Sequence, residues 1–496
     1  MKWRFSIILI LLFAQHIKAA PVYENNAACI RIYNEMFLLH FSNVTSLIDK
    51  EKSGNPDNVY VYSLEGYADF LQTFLSENPS LYNTFKTNTD QRLAKLRSGD
   101  KNSPYYLLTQ AEMILQRALV RARFKEYFNA AIDIRKSFKM ISENQTRFPS
   151  FKPNLKILGL MHSVIGSVPQ NYQWVVKLIG MHGTIRQGSG ELHQLLDATK
   201  TNKDLSYIKN EVLLYLIFVE SHLTKNKNVS LQLLNEYDKN STSQLITFSF
   251  VNTYYTFDKN EMVIETLFNR KNDPQAYHMY YLDYIYAMAK LNRLDEDADV
   301  HFKKYVSEFS GNNFIKSSYQ KLAWHGLIVK NDKQLYQQYI QNCITKGDDF
   351  SDEDKQALKE AQSHEVPNYY LLRARLLFDG GYYQKALSEI ATKSKDDFPN
   401  VKDKLELIYR LARIYDKSEN KTRAIEMYKK TIEFGEKMQY YFAANSALNL
   451  GLIYEQQGDM VNAEMYYRKC LNMRNHEYQN SIDQKAKAGL DRIGKV

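Results

Sequence analysis

Three histidines, His162, His182 and His193, stand close along the chain, with Met161 and Met181 beside the first two. Imidazole and thioether ligands together suit copper, and imidazole suits zinc. The intervals of 20 and 11 residues match no local metal motif, and no cysteine or carboxylate pair completes a ligand set. Packing or turn roles are therefore expected, with no metal and no cofactor. Gly183-Thr184-Ile185-Arg186-Gln187-Gly188-Ser189-Gly190 is glycine-rich enough to cradle a phosphate. It lacks a preceding strand, the Gly-X-Gly-X-X-Gly order and the lysine of a P-loop. Ser189 does not sit in a Gly-X-Ser-X-Gly elbow. A corner between two helices is the expectation. Asp348 to Asp354 is an acidic run that could attract calcium. It has neither the turn glycine nor the closing glutamate of an EF-hand loop. Acidic residues opening a helix follow from the helix dipole alone. No catalytic set emerges, and no enzymatic activity is expected.

The elements that would position any site are helices. In the C-terminal quarter one pattern occurs three times. The last copy holds Leu450-Gly451, Tyr454, Gly458, Ala463, Tyr467 and Cys470. The middle copy holds Leu411-Ala412, Tyr415, Ala424, Tyr428 and Thr431, and the first holds Ala374, Leu377, Gly381, Ala386 and Ile390. Small residues fall where two antiparallel axes must approach to about 8–10 Å. Tyrosines then fill the space between neighbouring hairpins, each buried ring contributing roughly 1.5–3 kcal/mol. One hairpin cannot bury its own apolar stripe, so several must stack. The abundance of tyrosine, 37 residues, is read as packing in such a stack.

This pattern resembles the tetratricopeptide repeat, at intervals of 38 and 39 residues against about 34 for the type. The resemblance implies an all-α, TPR-like α-α superhelix (a solenoid) that holds a protein or peptide partner. In that family the first helix of each hairpin lines a concave groove. Carried onto this chain, the groove candidates are Asn368, Leu371 and Arg375, then Tyr409, Arg413 and Asp416, then Asn445, Leu448 and Leu452. Arg375 and Arg413 could clasp a carboxylate by paired N–H bonds. Leu371 and Arg375 stand where the family's carboxylate clamp has lysine and asparagine, so a chaperone-tail ligand is not implied.

Around the repeats the chain divides as 1–19, a signal peptide; 20–147, a degenerate-repeat region; 148–200, an irregular helical segment; 201–365, degenerate helix pairs; 366–480, three repeats; and 481–496, a capping helix. The capping face is Ile482, Ala486, Leu490 and Ile493. Upstream, hydrophobic spacing predicts one helix over 25–48, another over 60–76, a break at Asn78-Pro79-Ser80, and a long hairpin over about 104–141. Segment 148–200 carries Pro149, Pro153, Pro169 and six glycines. It is distantly similar to the tetratricopeptide-repeat family containing the fungal inclusion-body clearance protein, which implies an adaptor and no catalytic residue.

The N-terminus reads as a secretory signal: Lys2 and Arg4, an apolar run from Phe5 to Ala14, and Ala19-Ala20-Pro21. The run is too short to span a bilayer. No later segment reads as membrane-spanning, and Cys29 comes too late for a lipid anchor. Three cysteines cannot form a disulfide framework. The expected location is the periplasm or exterior of a Gram-negative bacterium. A net charge of +9 on 496 residues is weak, and no nucleic-acid partner is expected. The leading expectation is a secreted, non-enzymatic scaffold. The alternative is a glycan-binding helical-repeat protein of the cell envelope.

Overall fold

The computed structural model describes residues 21–168 and 180–495. The signal-peptide reading at 1–19, and Pro169 and Trp174, lie outside the described residues. The described chain is helical, with no strand and one isolated bridge between Val22 and Asn58. It separates into two compact units. The N-terminal unit is Met1–Ile246 with Asn272–His278, and the C-terminal unit is Thr247–Lys271 with Met279–Val496.

In the N-terminal unit the helices are α1 (Ala27–Phe37), α2 (Phe41–Gly54), α3 (Tyr60–Ser76), α4 (Pro79–Arg97), α5 (Tyr105–Arg123), α6 (Tyr127–Arg147), α7 (Asn154–Ser167) and α8 (Ile185–Thr201). A 3-10 turn (Lys203–Ile208), α9 (Lys209–Phe218), a π-turn (Val219–Leu223) and α10 (Lys227–Leu234) follow. The single helix expected over 25–48 is two, because Leu39 adopts φ 63° and breaks the run. The break expected at Asn78-Pro79-Ser80 separates α3 from α4, and its Asn-Pro pair also starts α4. The Asn78 side chain accepts from Ser80 N and Leu81 N, and Pro79 opens the helix. The segment Asn272–His278 is fastened here: Tyr277 N donates to Leu39 O at 2.9 Å, and His40 Nε2 pairs with Asp273 Oδ2 at 3.0 Å.

The stretch expected to be irregular holds a close helical hairpin. On α7, Gly159 and Ser163 face Gly188 of α8, and a Cβ on Gly188 would overlap the Gly159 carbonyl. The glycine run thus lets two helices cross in contact, as a corner reading requires.

The C-terminal unit begins within α11 (Gln244–Thr256) and continues with α12 (Asn260–Phe268), α13 (Tyr281–Arg293), α14 (Ala298–Glu308), α15 (Ile315–Ile328), α16 (Lys333–Thr345) and α17 (Asp352–Gln362). Three hairpins then follow: α18 (Tyr369–Asp379) with α19 (Tyr383–Ile390), α20 (Val401–Lys417) with α21 (Lys421–Gly435), and α22 (Phe442–Gln456) with α23 (Met460–Asn472). Ala374, Ala386, Ala412, Ala424 and Ala463 are all fully buried, as close crossings demand. Tyr428 and Tyr467 fill the core between hairpins. Gly381 and Gly458 take the positive φ of the hairpin turns. The last helix, α24 (Gln479–Arg492), covers the stack with Ile482, Ala486 and Leu490. Cys29, Cys343 and Cys470 are buried and unpaired, and burial pushes each thiol up to about 12.

Candidate functional site

Side chains at helical spacing on α13, α15, α17 and α18 converge in the C-terminal unit. They are Tyr281, Tyr284, Met288 and Asn292; Ser317, Gln320, Lys321 and Trp324; Asp352, Glu353 and Gln356; and Arg375 and Asp379. Spacings of three and four place each set on one helix face. They line a cavity of about 400 Å³, completed by Tyr255 and Tyr478. A second cavity, about 140 Å³, shares Arg375 and Asp379 and adds Phe378, Tyr409, Arg410, Arg413 and Tyr441.

The arginines differ in how they are satisfied. Arg410 is held by Glu406 through two of its nitrogens. Arg413 donates one hydrogen bond, to the Tyr409 hydroxyl at 3.0 Å, and lies 4.7 Å from the Phe378 ring centroid. Arg375 reaches only Asp379, at 3.8 Å, and lies 5.0 Å from the Trp324 ring. Burial disfavours both charges, but Asp379 beside Arg375 and Tyr409 beside Arg413 outweigh it and keep both guanidiniums protonated. Each therefore presents N–H donors to the cavities without a protein acceptor among the described residues.

The other groove candidates have different places. Asn445 Nδ2 donates to the Tyr409 hydroxyl at 2.6 Å, so Tyr409 accepts from both Asn445 and Arg413. Asn368 is the cap of α18, accepting from Tyr370 N and Leu371 N. Leu448 is 3% exposed and, like Leu371, packs in the core rather than on the groove. The groove candidates fall on α18, α20 and α22 or at their ends, and on α22 Leu448 turns into the core cluster. Asp416 binds Lys421, and Leu452 packs on the core edge.

Sequence reasoning missed Asn292, Gln320, Lys321 and Trp324. They lie on degenerate pairs whose register no clear repeat sets. Lys321 Nζ sits 3.9 Å from the Trp324 ring centroid, and Trp324 Nε1 donates to Glu360 at 2.7 Å. The acidic run has a structural task. Asp354 accepts from Phe314 N at 2.6 Å and Ser317 N at 2.9 Å, capping α15.

In the N-terminal unit the histidines are apart from these cavities. His162 Nδ1 meets Glu191 Oε2 at 2.7 Å, and both His162 and His182 pack against the Phe138 ring. His193 is half-buried and lies 3.7 Å from Glu220. A second missed feature is buried in this unit. Lys156 Nζ lies 2.7 Å from Glu112 Oε1 and 2.8 Å from Glu211 Oε2. Tyr33, Tyr67 and Tyr215 donate to Glu211, which is 2% exposed. A cavity of about 30 Å³ beside Lys156 has room for one water-sized group.

A family model described as the tetratricopeptide repeat matches residues 405–434 and 444–477, the segments forming α20–α21 and α22–α23. The chain therefore carries tetratricopeptide repeats there, and such repeats suggest a protein-interaction scaffold. No curated protein matches it. Among solved structures it is similar to the one titled "Crystal structure of APC/C hetero-tetramer Cut9-Hcn1". The identity is 13%, with 94% of this chain and 97% of that chain covered, at a TM-score of 0.26. No described helix is long and apolar enough to cross a membrane.

Proposed function

We propose that this protein is an exported, non-enzymatic scaffold that holds a protein or peptide along the inner faces of its C-terminal repeats. The observation that carries the reading is the pair of incompletely satisfied guanidiniums, Arg375 and Arg413, lining one 140 Å³ cavity. Their planar forks suit an acidic side chain or a chain-terminal carboxylate. A sugar-stacking surface needs an open ring face. Trp324, the indole of the larger cavity, instead carries Lys321 at 3.9 Å and Arg375 at 5.0 Å and offers no such face. Export rests on the residues before Pro21 alone, and sequencing the N-terminus of the mature protein tests it.

Affinity capture from the native host, with the full chain as bait, is expected to recover a protein partner. Arg375→Ala with Arg413→Ala is expected to weaken that capture by about 2 kcal/mol or more, the loss seen when a desolvated arginine anchor is truncated. A double variant that folds normally and retains full capture would remove these residues from the interface.

A further inference from the structure

The larger cavity of the C-terminal unit holds polar groups with no internal partner. Asn292 is 1% exposed, and neither its amide nitrogen nor its amide oxygen makes a hydrogen bond of ordinary geometry, the nearby Tyr255 hydroxyl engaging it only loosely. Gln320 is also 1% exposed, and its Nε2 has no acceptor. Native proteins pair nearly all such buried atoms. Leaving a donor and an acceptor unmet costs the full desolvation of each. Both side chains line the 400 Å³ cavity, together with the guanidinium of Arg375 and the ammonium of Lys321. That volume falls within the range of small-molecule sites, which are apolar pockets carrying a few convergent polar groups.

The cavity's chemistry narrows the ligand. Arg375, Lys321 and Gln320 Nε2 are donors, two of them cationic, and they suit an anionic oxygen pair. Burial pushes the Lys321 ammonium down to about 8, Arg375 adding to this and Glu360 opposing it, so an anion placed here would relieve both cations. Asp352, Glu353 and Asp379 stand in the same lining and repel any anion, a doubly charged phosphate about twice as strongly as a single carboxylate. The Asn292 oxygen and these carboxylates are acceptors and call for a donor on the ligand. Tyr281, Tyr284 and Phe314 supply flat apolar walls.

We infer that this cavity binds a single carboxylate carried on an aromatic frame that also bears an N–H donor. A free aromatic amino acid and the C-terminal aromatic residue of a peptide share that chemistry. The site shares Arg375 and Asp379 with the smaller cavity that carries the scaffold reading, and Asn292, Gln320, Lys321 and Trp324, which lie outside that cavity, distinguish the two.

Isothermal titration of the full chain tests the site with four probes. They are L-phenylalanine, L-phenylalaninamide, a pentapeptide ending in phenylalanine, and the same pentapeptide as its C-terminal amide. At least one acid is expected to bind, and its amide counterpart to bind roughly 10- to 100-fold more weakly, the range for losing a charged hydrogen bond. Equal affinity of amino acid and peptide identifies a small-molecule site, and binding of the peptide alone identifies a chain end. Gln320→Leu removes the unpaired Nε2 donor together with the Oε1 that accepts from Lys321 Nζ at 2.5 Å, and, with folding checked by circular dichroism, is expected to weaken the acid by about tenfold. Arg375→Lys keeps the charge, loses the fork and is expected to weaken it similarly. Failure of both acids to bind, parity between acid and amide, or indifference to both substitutions overturns the inference. An Asn292→Leu protein that loses phenylalanine but still captures its protein partner would separate this site from the scaffold function.

Discussion

Replacing Lys156 with methionine is expected to destabilise the N-terminal unit by about 3–5 kcal/mol, the usual loss when one partner of a buried ion pair is removed. Methionine matches the stem of lysine in length, so the loss reports charge rather than volume. Glu112 and Glu211 would then face each other without the ammonium that lies within 2.8 Å of both. In the native protein burial pushes Glu211 up, but Lys156 and the tyrosine hydroxyls more than reverse this and hold it below the usual carboxylate range. Its contribution is therefore present at neutral pH and lost as pH falls through that lowered value. Glu112 behaves oppositely. Burial pushes it up, Glu211 adds to the rise, and Lys156 only partly opposes it. Its folded form gains stability by taking up a proton, so that contribution fades as pH rises through the raised value. The triad thus approaches one ammonium, one carboxylate and one carboxylic acid as pH falls through the raised value of Glu112. Two tests follow. Hydrogen exchange should show lowered protection across α5, α7 and α9 in Lys156→Met at pH 7, with the deficit shrinking as pH is lowered and Glu112 takes up its proton. Lys156→Met combined with Glu112→Gln should recover part of the loss. A single variant as protected as wild type at pH 7 would mean that the triad does not hold its charge.

Tyr467→Ala is expected to cost about 3–5 kcal/mol, confined to the last two hairpins and α24. The ring is fully buried, and its hydroxyl donates to Glu455. Glycines at 451 and 489 make room for it, since a Cβ at either place would overlap the ring. The glycines that face the ring have no side chains with which to fill the gap. Urea unfolding followed by exchange at α22–α24 measures the loss. A change below about 1 kcal/mol would show that the hairpins close around the void, contrary to the rigidity expected of close-packed interiors.

Parts of this architecture were readable before any coordinates. Helix α3 runs from Tyr60 to Ser76 as hydrophobic spacing predicts, and the three C-terminal hairpins follow their small-residue marks. α4 was not read, because its buried face mixes Tyr82, Phe85 and Leu93 with Thr89 and Arg92 and shows little amphipathic contrast. The cap Asn78 with Pro79 was the available signal. The charged triad has a similar history. Lys156 interrupts the apolar run Leu155 to Leu158, which marks it as unusual, but its partners lie 44 residues before and 55 after. Only packing can identify them. On the groove side, repeat register pointed to Arg375, Tyr409 and Arg413, which line one cavity. It erred at Leu448, since one turn along a helix does not say which side faces its own partner helix. Asn292 and Gln320 carried no mark at all. Their distinction is buried amide atoms left without a partner, a property of the folded chain.

The three sealed cysteines equip the chain with native timers. A thiol reacts as its thiolate, and with each thiol held near 12 by burial the sulfur is protected while the helices around it stay closed. Alkylation must then wait for breathing of the surrounding backbone. Cys29 records such openings in the N-terminal unit, and Cys343 and Cys470 record them at two places in the C-terminal unit. Mass spectrometry of the three tagged peptides over time would rank the firmness of these regions without any introduced probe, and would show which of them tightens when a ligand arrives.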